Sequence, residues 1–180
     1  LYNKSTRDLL FKVIAAQPAP NPFVYRNLDT EIQNRGIELG LNAAIVDGKK
    51  FSWEALFNIS YNKNLIKNLQ GSYQTGEING QGLSGAFAQQ LEAGQPLFAY
   101  YLRDFQGFDE NGKPKYAIGD DVQMFVGKSP LPKVTAGLTN NLRYGNFDLS
   151  LFFNGVFGNY IYSNTRNAFF TIGSFENGRN

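Results

Sequence analysis

The densest run of potential chemistry is FDENGKPKYAIGDD, residues 108 to 121, which carries Asp109, Glu110, Asn111, Asp120 and Asp121. Clustered carboxylates and an amide suggest oxygen ligands for a hard cation. A calcium loop of the EF-hand kind needs oxygens at alternate positions, Gly at the sixth and Glu at the twelfth. Counted from Asp109, the sixth residue is Pro114 and the twelfth is Asp120, so the spacing fails and a solvated turn is expected. Glu38 and Glu54 form a second candidate, as paired carboxylates for acid/base work. Both fall on the polar side of strand-like segments, where charges are ordinary. The chain has no Cys and no His, which removes thiol nucleophiles, disulfides, imidazole bases and the usual Cys/His zinc sites. Gly71, Gly76, Gly80 and Gly82 are not flanked by the strand and helix of a phosphate cradle and read as flexible loop. Phe23, Tyr25, Tyr73, Phe87, Phe105 and Phe108 lie in long connections, where rings stack on sugars, touch a covering protein or anchor one loop to another. No catalytic, cofactor-binding or metal-ligating residue is assigned, substrate-binding residues are left unassigned, and the chain is expected not to be an enzyme.

The elements that must carry these residues have the period of β-strands. Ile37, Leu39, Leu41, Ala43 and Ile45 alternate with Glu38, Gly40, Asn42 and Ala44. Phe51, Trp53, Ala55, Phe57, Ile59 and Tyr61 alternate with polar residues, broken only by Leu56. Val134 to Tyr144 and Phe147 to Phe157 follow the same rule, with Asn140 the exception on the apolar side. Residues sharing a face must stay on one face when a hairpin folds back. The first pair has odd apolar positions on both arms and demands an odd loop, which VDGKK supplies around Asp47-Gly48. The second changes from even to odd and demands an even loop, which Gly145-Asn146 supplies. That register sets Tyr144 opposite Phe147 and Arg143 opposite Asp148, pairs worth about 0.2 to 1 kcal/mol each. The remaining connections are long: IAAQPAPNPFVYRN carries three prolines, and residues 70 to 96 hold six glycines. Further strands are expected over Leu9 to Val13 and Leu97 to Phe105, and a loop or strand from Asn159 onward.

The chain has 180 residues, 42% hydrophobic and 15% aromatic, too apolar for disorder, and its net charge of +2 offers no footprint for nucleic acid. Its longest apolar run, Leu97 to Leu102, is far below the roughly 18 residues of a membrane-spanning helix. The opening LYNKSTRDLLF has no signal-peptide pattern, and the chain reads as starting and stopping inside a larger architecture. Alternation alone fits either a soluble β-sandwich or a membrane barrel. Short turns at one strand end with long loops at the other suit a barrel, as do aromatics at both ends of Phe51 to Tyr61. At roughly 3.3 Å per residue and a tilt near 40°, that strand rises about 25 Å, the height of an outer-membrane apolar band.

IQNRGIELGLNA leading into WEALFNISYNKN, then PLPKVTAGLTNNLRYGNFDLSLFFNGVFGNYIYSNT, resemble late barrel hairpins of the SusC-like, TonB-dependent outer-membrane transporters (SusC/RagA family), and YNKSTRDLLFKV resembles the preceding strand. The resemblance implies an all-β fold: an antiparallel transmembrane β-barrel fragment, about six strands of roughly 22, with short periplasmic turns and long extracellular loops. Residues 1–180 would be part of the receptor's C-terminal barrel domain, without the plug domain and the final strands. It further implies outer-membrane import of an oligosaccharide, peptide or similar nutrient, with a SusD-like surface lipoprotein, lipid around the barrel, and the TonB complex acting through the missing plug. The other reading is a non-transporting β-protein, such as a surface adhesin or carbohydrate-binding sandwich.

Overall fold

The computed structural model describes residues 1 to 15, 18, 20 to 80 and 83 to 169. Its strands are β1 (Tyr2–Ile14), β2 (Phe23–Asp47), β3 (Phe51–Asn68), β4 (Tyr73–Gly80), β5 (Leu83–Leu91), β6 (Ala99–Leu102), β7 (Phe105–Phe108), β8 (Pro114–Tyr116), β9 (Met124–Phe125), β10 (Val134–Tyr144) and β11 (Phe147–Phe157). A six-residue helix, α1 (Asn164–Phe169), follows, with the Ser163 hydroxyl accepting from the Arg166 N–H at 3.4 Å as its N-cap. One sheet has the order β1-β2-β3-β10-β11, a second β4-β5-β6-β9, and β7 pairs with β8. By contacts the chain divides into two units. The first holds residues 1–5, 33–64 and 131–159, and the second 6–32, 65–130 and 160–180.

In the first unit, the parity expectations hold. Three residues separate β2 from β3, closed by a Gly48 N–H to Phe51 carbonyl bond of 3.0 Å. Two residues separate β10 from β11, and Tyr144 faces Phe147 while Arg143 faces Asp148. Gly145 takes φ +60° as the first central residue, the geometry of a type II′ turn, which glycine adopts without a Cβ clash. β10 also pairs antiparallel with β3 over its whole length. The two turns are neighbours, since the Gly145 N–H donates to the Lys50 carbonyl at 3.0 Å. The polar side of β1 to β3 is laced by side chains: the Tyr2 hydroxyl donates to Asn62 at 2.8 Å, Gln33 to Asn3 at 2.9 Å and Asn64 to Asn34 at 2.8 Å. Gly36 makes this possible, because a Cβ there would collide with the Tyr2 ring and the Tyr61 carbonyl.

In the second unit, a small core gathers on the four-stranded sheet. Ile78, Ala88 and Tyr100 are buried, with Leu102, Val126 and Tyr162 packed against them. The Tyr100 hydroxyl donates to the Tyr160 carbonyl at 3.0 Å and accepts from the Tyr162 N–H at 3.2 Å, tying residues 160 to 162 to this core. Burial raises the Tyr162 hydroxyl above its ordinary pKa. The fully buried Ile66, near the end of β3, exchanges backbone bonds with the turn at Gly94 and Gln95.

Several expectations need correction. The proline segment is shorter than its composition suggests, because the strand resumes at Phe23 rather than Ile37. Residues 70 to 96 contain the hairpin β4–β5, whose glycines sit at bends instead of excluding strand. Leu97 to Phe105 is not one strand: Ala99–Leu102 pairs with β5 and β9 and Phe105 opens β7, so the long sheet has five of the expected strands. After Asn159 the chain makes α1 and no strand among the described residues; residues 170 to 180 lie outside them.

Candidate functional site

The register of β3, β10 and β11 stacks one face into six rows of apolar side chains. The first row is Phe51, Tyr144 and Phe147, and the last is Tyr61, Val134 and Phe157. Between them run Trp53–Leu142–Leu149, Ala55–Asn140–Leu151, Phe57–Leu138–Phe153 and Ile59–Ala136–Gly155. No second layer covers this face in the unit: Leu149 is 54% exposed and Phe153 58%. Ile37, Leu39, Leu41 and Ile45 of β2 are exposed as well. Aromatics gathered in the first and last rows of an exposed apolar face, with Trp53, Phe57 and Phe153 among the aliphatic side chains between them, match the profile of a strand wall facing lipid. Asn140 interrupts the third row, and its side-chain oxygen accepts the Trp53 indole N–H at 3.1 Å. The polar atom is thereby paired within the face, as an apolar surrounding requires.

The opposite face is polar and hydrogen-bonded. Ser150 donates to the Asn141 oxygen at 2.8 Å, and the Asn141 amide donates to Glu54 at 3.5 Å. Together with Ser52, Arg143 and Asp148 they line a concavity of about 480 Å3. Arg143 and Asp148 stand opposite each other, yet among the described residues they close no ion pair. Exposed pairs gain too little to hold two side chains in one geometry. Glu54 is thus a member of a polar wall, with no hydrogen bond to Glu38.

In the second unit, the acidic run folds as the hairpin β7–β8. The Asp109 carboxylate accepts the backbone N–H groups of Asn111 at 2.9 Å and Lys113 at 2.8 Å. That oxygen closes the turn itself. Arg103 takes up the other acidic pair, bonding the Asp120 carbonyl at 2.9 Å and lying 3.5 Å from the Asp121 carboxylate. No three acidic side chains converge among the described residues. Phe105 and Phe108 of the expected aromatics pack edge to face, and Phe105 also meets Tyr116. Phe23, Tyr73 and Phe87 come together elsewhere, at a cleft of about 580 Å3 with Phe11 and Lys12 of β1. Tyr25 stands apart, 70% exposed. Of the four glycines singled out, Gly71 and Gly76 have φ of +75° and +64°, Gly80 ends β4, and Gly82 lies outside the described residues. Sequence reasoning missed Phe11, Lys12 and Gln90 as cleft residues, because β1 alternation said nothing of what approaches it.

No family model matches the chain. The TonB-dependent receptor SusC of Bacteroides thetaiotaomicron is 30% identical over 196 residues, which is 98% of this chain and 19% of the relative. The TonB-dependent receptor P26 of Formosa agariphila is also 30% identical, over 97% of the chain and 20% of its own length. Over nearly its whole length the chain is similar to one segment of these SusC-like receptors. It therefore spans about a fifth of the length of the curated relatives it matches. Among solved structures, that of the RagAB peptide transporter superposes on 87% of this chain and 18% of its own chain, with TM-score 0.68 and 20% identity. The RagAB peptide importer in the closed-closed state matches equally well. These likenesses agree with the fold: antiparallel strands, a polar face and an exposed apolar face ending in aromatics.

Proposed function

We propose that residues 1–180 form part of the barrel domain of an outer-membrane, TonB-dependent nutrient transporter, with its plug elsewhere in the full protein. A SusD-like surface lipoprotein covers the barrel, the TonB complex acts through the plug, and an oligosaccharide, peptide or similar nutrient is imported without bond cleavage. The observation that carries this reading is the set of six cross-strand rows, apolar and exposed on one side and hydrogen-bonded on the other. The rows span ten residue steps, about 33 Å along the strand and about 25 Å of height at a tilt near 40°. A soluble sandwich would cover Leu149, Leu151 and Phe153 with a second sheet. The names of the relatives support import, and RagAB is described as a peptide transporter.

The test is the mass and location of the native polypeptide containing this sequence. Expected is a product several times 20.1 kDa, in the outer-membrane fraction, extracted only by detergent, together with a lipoprotein. Its deletion should abolish growth on one class of nutrient. A soluble native product near 20.1 kDa would overturn the reading.

A further inference from the structure

The Asn34–Asn64 hydrogen bond of 2.8 Å joins β2 to β3 on the polar side of the long sheet. Successive side chains of a strand point to opposite faces, so Arg35 and Lys63, the next residues toward the turn, lie on the apolar side and stand across from each other. Both are exposed. Arg35 follows Ile37 on that face and Lys63 follows Tyr61, which pairs with Val134 and through it lines up with Phe157. The two cations therefore sit just past the last apolar row, on the side away from the tight turns. Cross-strand neighbours bring their Cβ atoms to about 5 Å, where like charges repel. No carboxylate of the first unit relieves them, since Glu38, Glu54 and Asp148 are on the polar side and Asp47 is at the turn. Neither cation closes an ion pair or a hydrogen bond among the described residues. Both strands are interior to the sheet, flanked by β1 and β10, so this part of the face is bounded within the chain itself.

We propose that Arg35 and Lys63 hold the phosphate of a multiply acylated glycolipid whose chains lie along the apolar rows beside them. A phosphomonoester carries about −1.5 to −2 charges at pH 7 and three acceptor oxygens, which answers a guanidinium and an ammonium together. The guanidinium takes two oxygens as a fork, and the ammonium acts as a point charge on the third. A phosphodiester headgroup, with a single charge, would leave part of the repulsion in place. The row beneath the pair, Ile37, Tyr61, Val134 and Phe157, crosses four strands. At about 4.8 Å between strands it is about 14 Å wide, a width that suits an amphiphile with several chains. Basic side chains beside an apolar surface are the usual means of gripping an anionic lipid headgroup. The proposal rests on the reading that this face meets lipid, and it adds which lipid is held there and by what.

The experiment uses the full-length transporter, purified in detergent and stripped of lipid. The probes are a multiply acylated diglucosamine monophosphate, its phosphate-free counterpart, and phosphatidic acid. Expected is saturable binding of the phosphorylated glycolipid, about twentyfold tighter than of the phosphate-free form and tighter than of phosphatidic acid. Arg35→Gln and Lys63→Gln should each weaken it about fivefold, and the two together about twentyfold. Lys49→Gln with Lys50→Gln, which removes two exposed cations at the turn end, should change nothing. Without lipid, Lys63→Gln should be no less stable than the parent, because it relieves the repulsion. Equal binding with and without the phosphate, phosphatidic acid binding as tightly as the glycolipid, an equal loss in the turn-end variant, or undiminished binding after both Arg35→Gln and Lys63→Gln would each overturn the proposal. A native protein that needs no detergent would overturn the lipid-facing wall as well, whereas a membrane barrel indifferent to the phosphate would overturn only this inference.

Discussion

Asn140 is an amide in the third of six apolar rows, and its carbonyl is held by an indole from the neighbouring strand. In hydrocarbon either group alone would lack a partner. Replacing Trp53 by Phe or Asn140 by Leu should each destabilise the barrel, while the double variant recovers part of the loss. The expected coupling is about 0.6 kcal/mol, the average for polar pairs between membrane segments, and no more than about 1.7 kcal/mol. It is read from a double-mutant cycle of urea unfolding in lipid vesicles. A second residue-scale prediction concerns Gly36, where the Tyr2 ring and the Tyr61 carbonyl occupy the place of a Cβ. Gly36→Ala should cost about 1 to 3 kcal/mol by overpacking and break the Tyr2–Asn62 bond. The same unfolding assay checks it, with Tyr2→Ala in the Gly36→Ala background relieving part of the cost.

At the scale of elements, the β10–β11 hairpin combines turn chemistry with pairing. A Cβ on Gly145 would meet nothing within 4 Å, so Gly145→Ala tests backbone conformation alone. At φ +60° the expected cost is about 1 to 2 kcal/mol, seen as slower hairpin insertion and a lower unfolding midpoint. Tyr100 plays a different part, because one hydroxyl serves two backbone groups of the segment after β11. Tyr100→Phe keeps the ring and loses both bonds. The expected cost is about 1 to 3 kcal/mol, local to the second unit, with faster amide exchange at Tyr162 as the readout.

For the whole molecule, the two faces of the long sheet make opposite demands on neighbouring residues. Phe153 lies in the fourth row of the apolar face, and Asn154 is next to it on the polar face. Phe153→Arg should cost about 2 to 4 kcal/mol and reduce the amount of assembled protein in the outer membrane, while Asn154→Arg should be tolerated. Equal effects at the two positions would deny the assignment of faces. The 180-residue piece by itself should aggregate in buffer without detergent, since β1 and β11 are open edges of a sheet with one apolar face. Sedimentation with and without detergent checks this.

Faces, hairpin registers and both tight turns were readable in the sequence, because a period of two and the φ demands of Gly145 are local properties of a few consecutive residues. So was the odd position of Asn140, though not its remedy, since Trp53 lies 87 residues away. The pairing of β3 with β10, separated by residues 69 to 133, is a long-range contact and leaves no local signal. The β4–β5 hairpin was hidden by its glycines, which give bends inside strands as readily as loops. The cleft beside β4 was beyond reach for the same reason: its rings and charges come from β1, β2, β4 and β5. Alternation in each strand says which way a side chain points, and only tertiary packing decides what it meets.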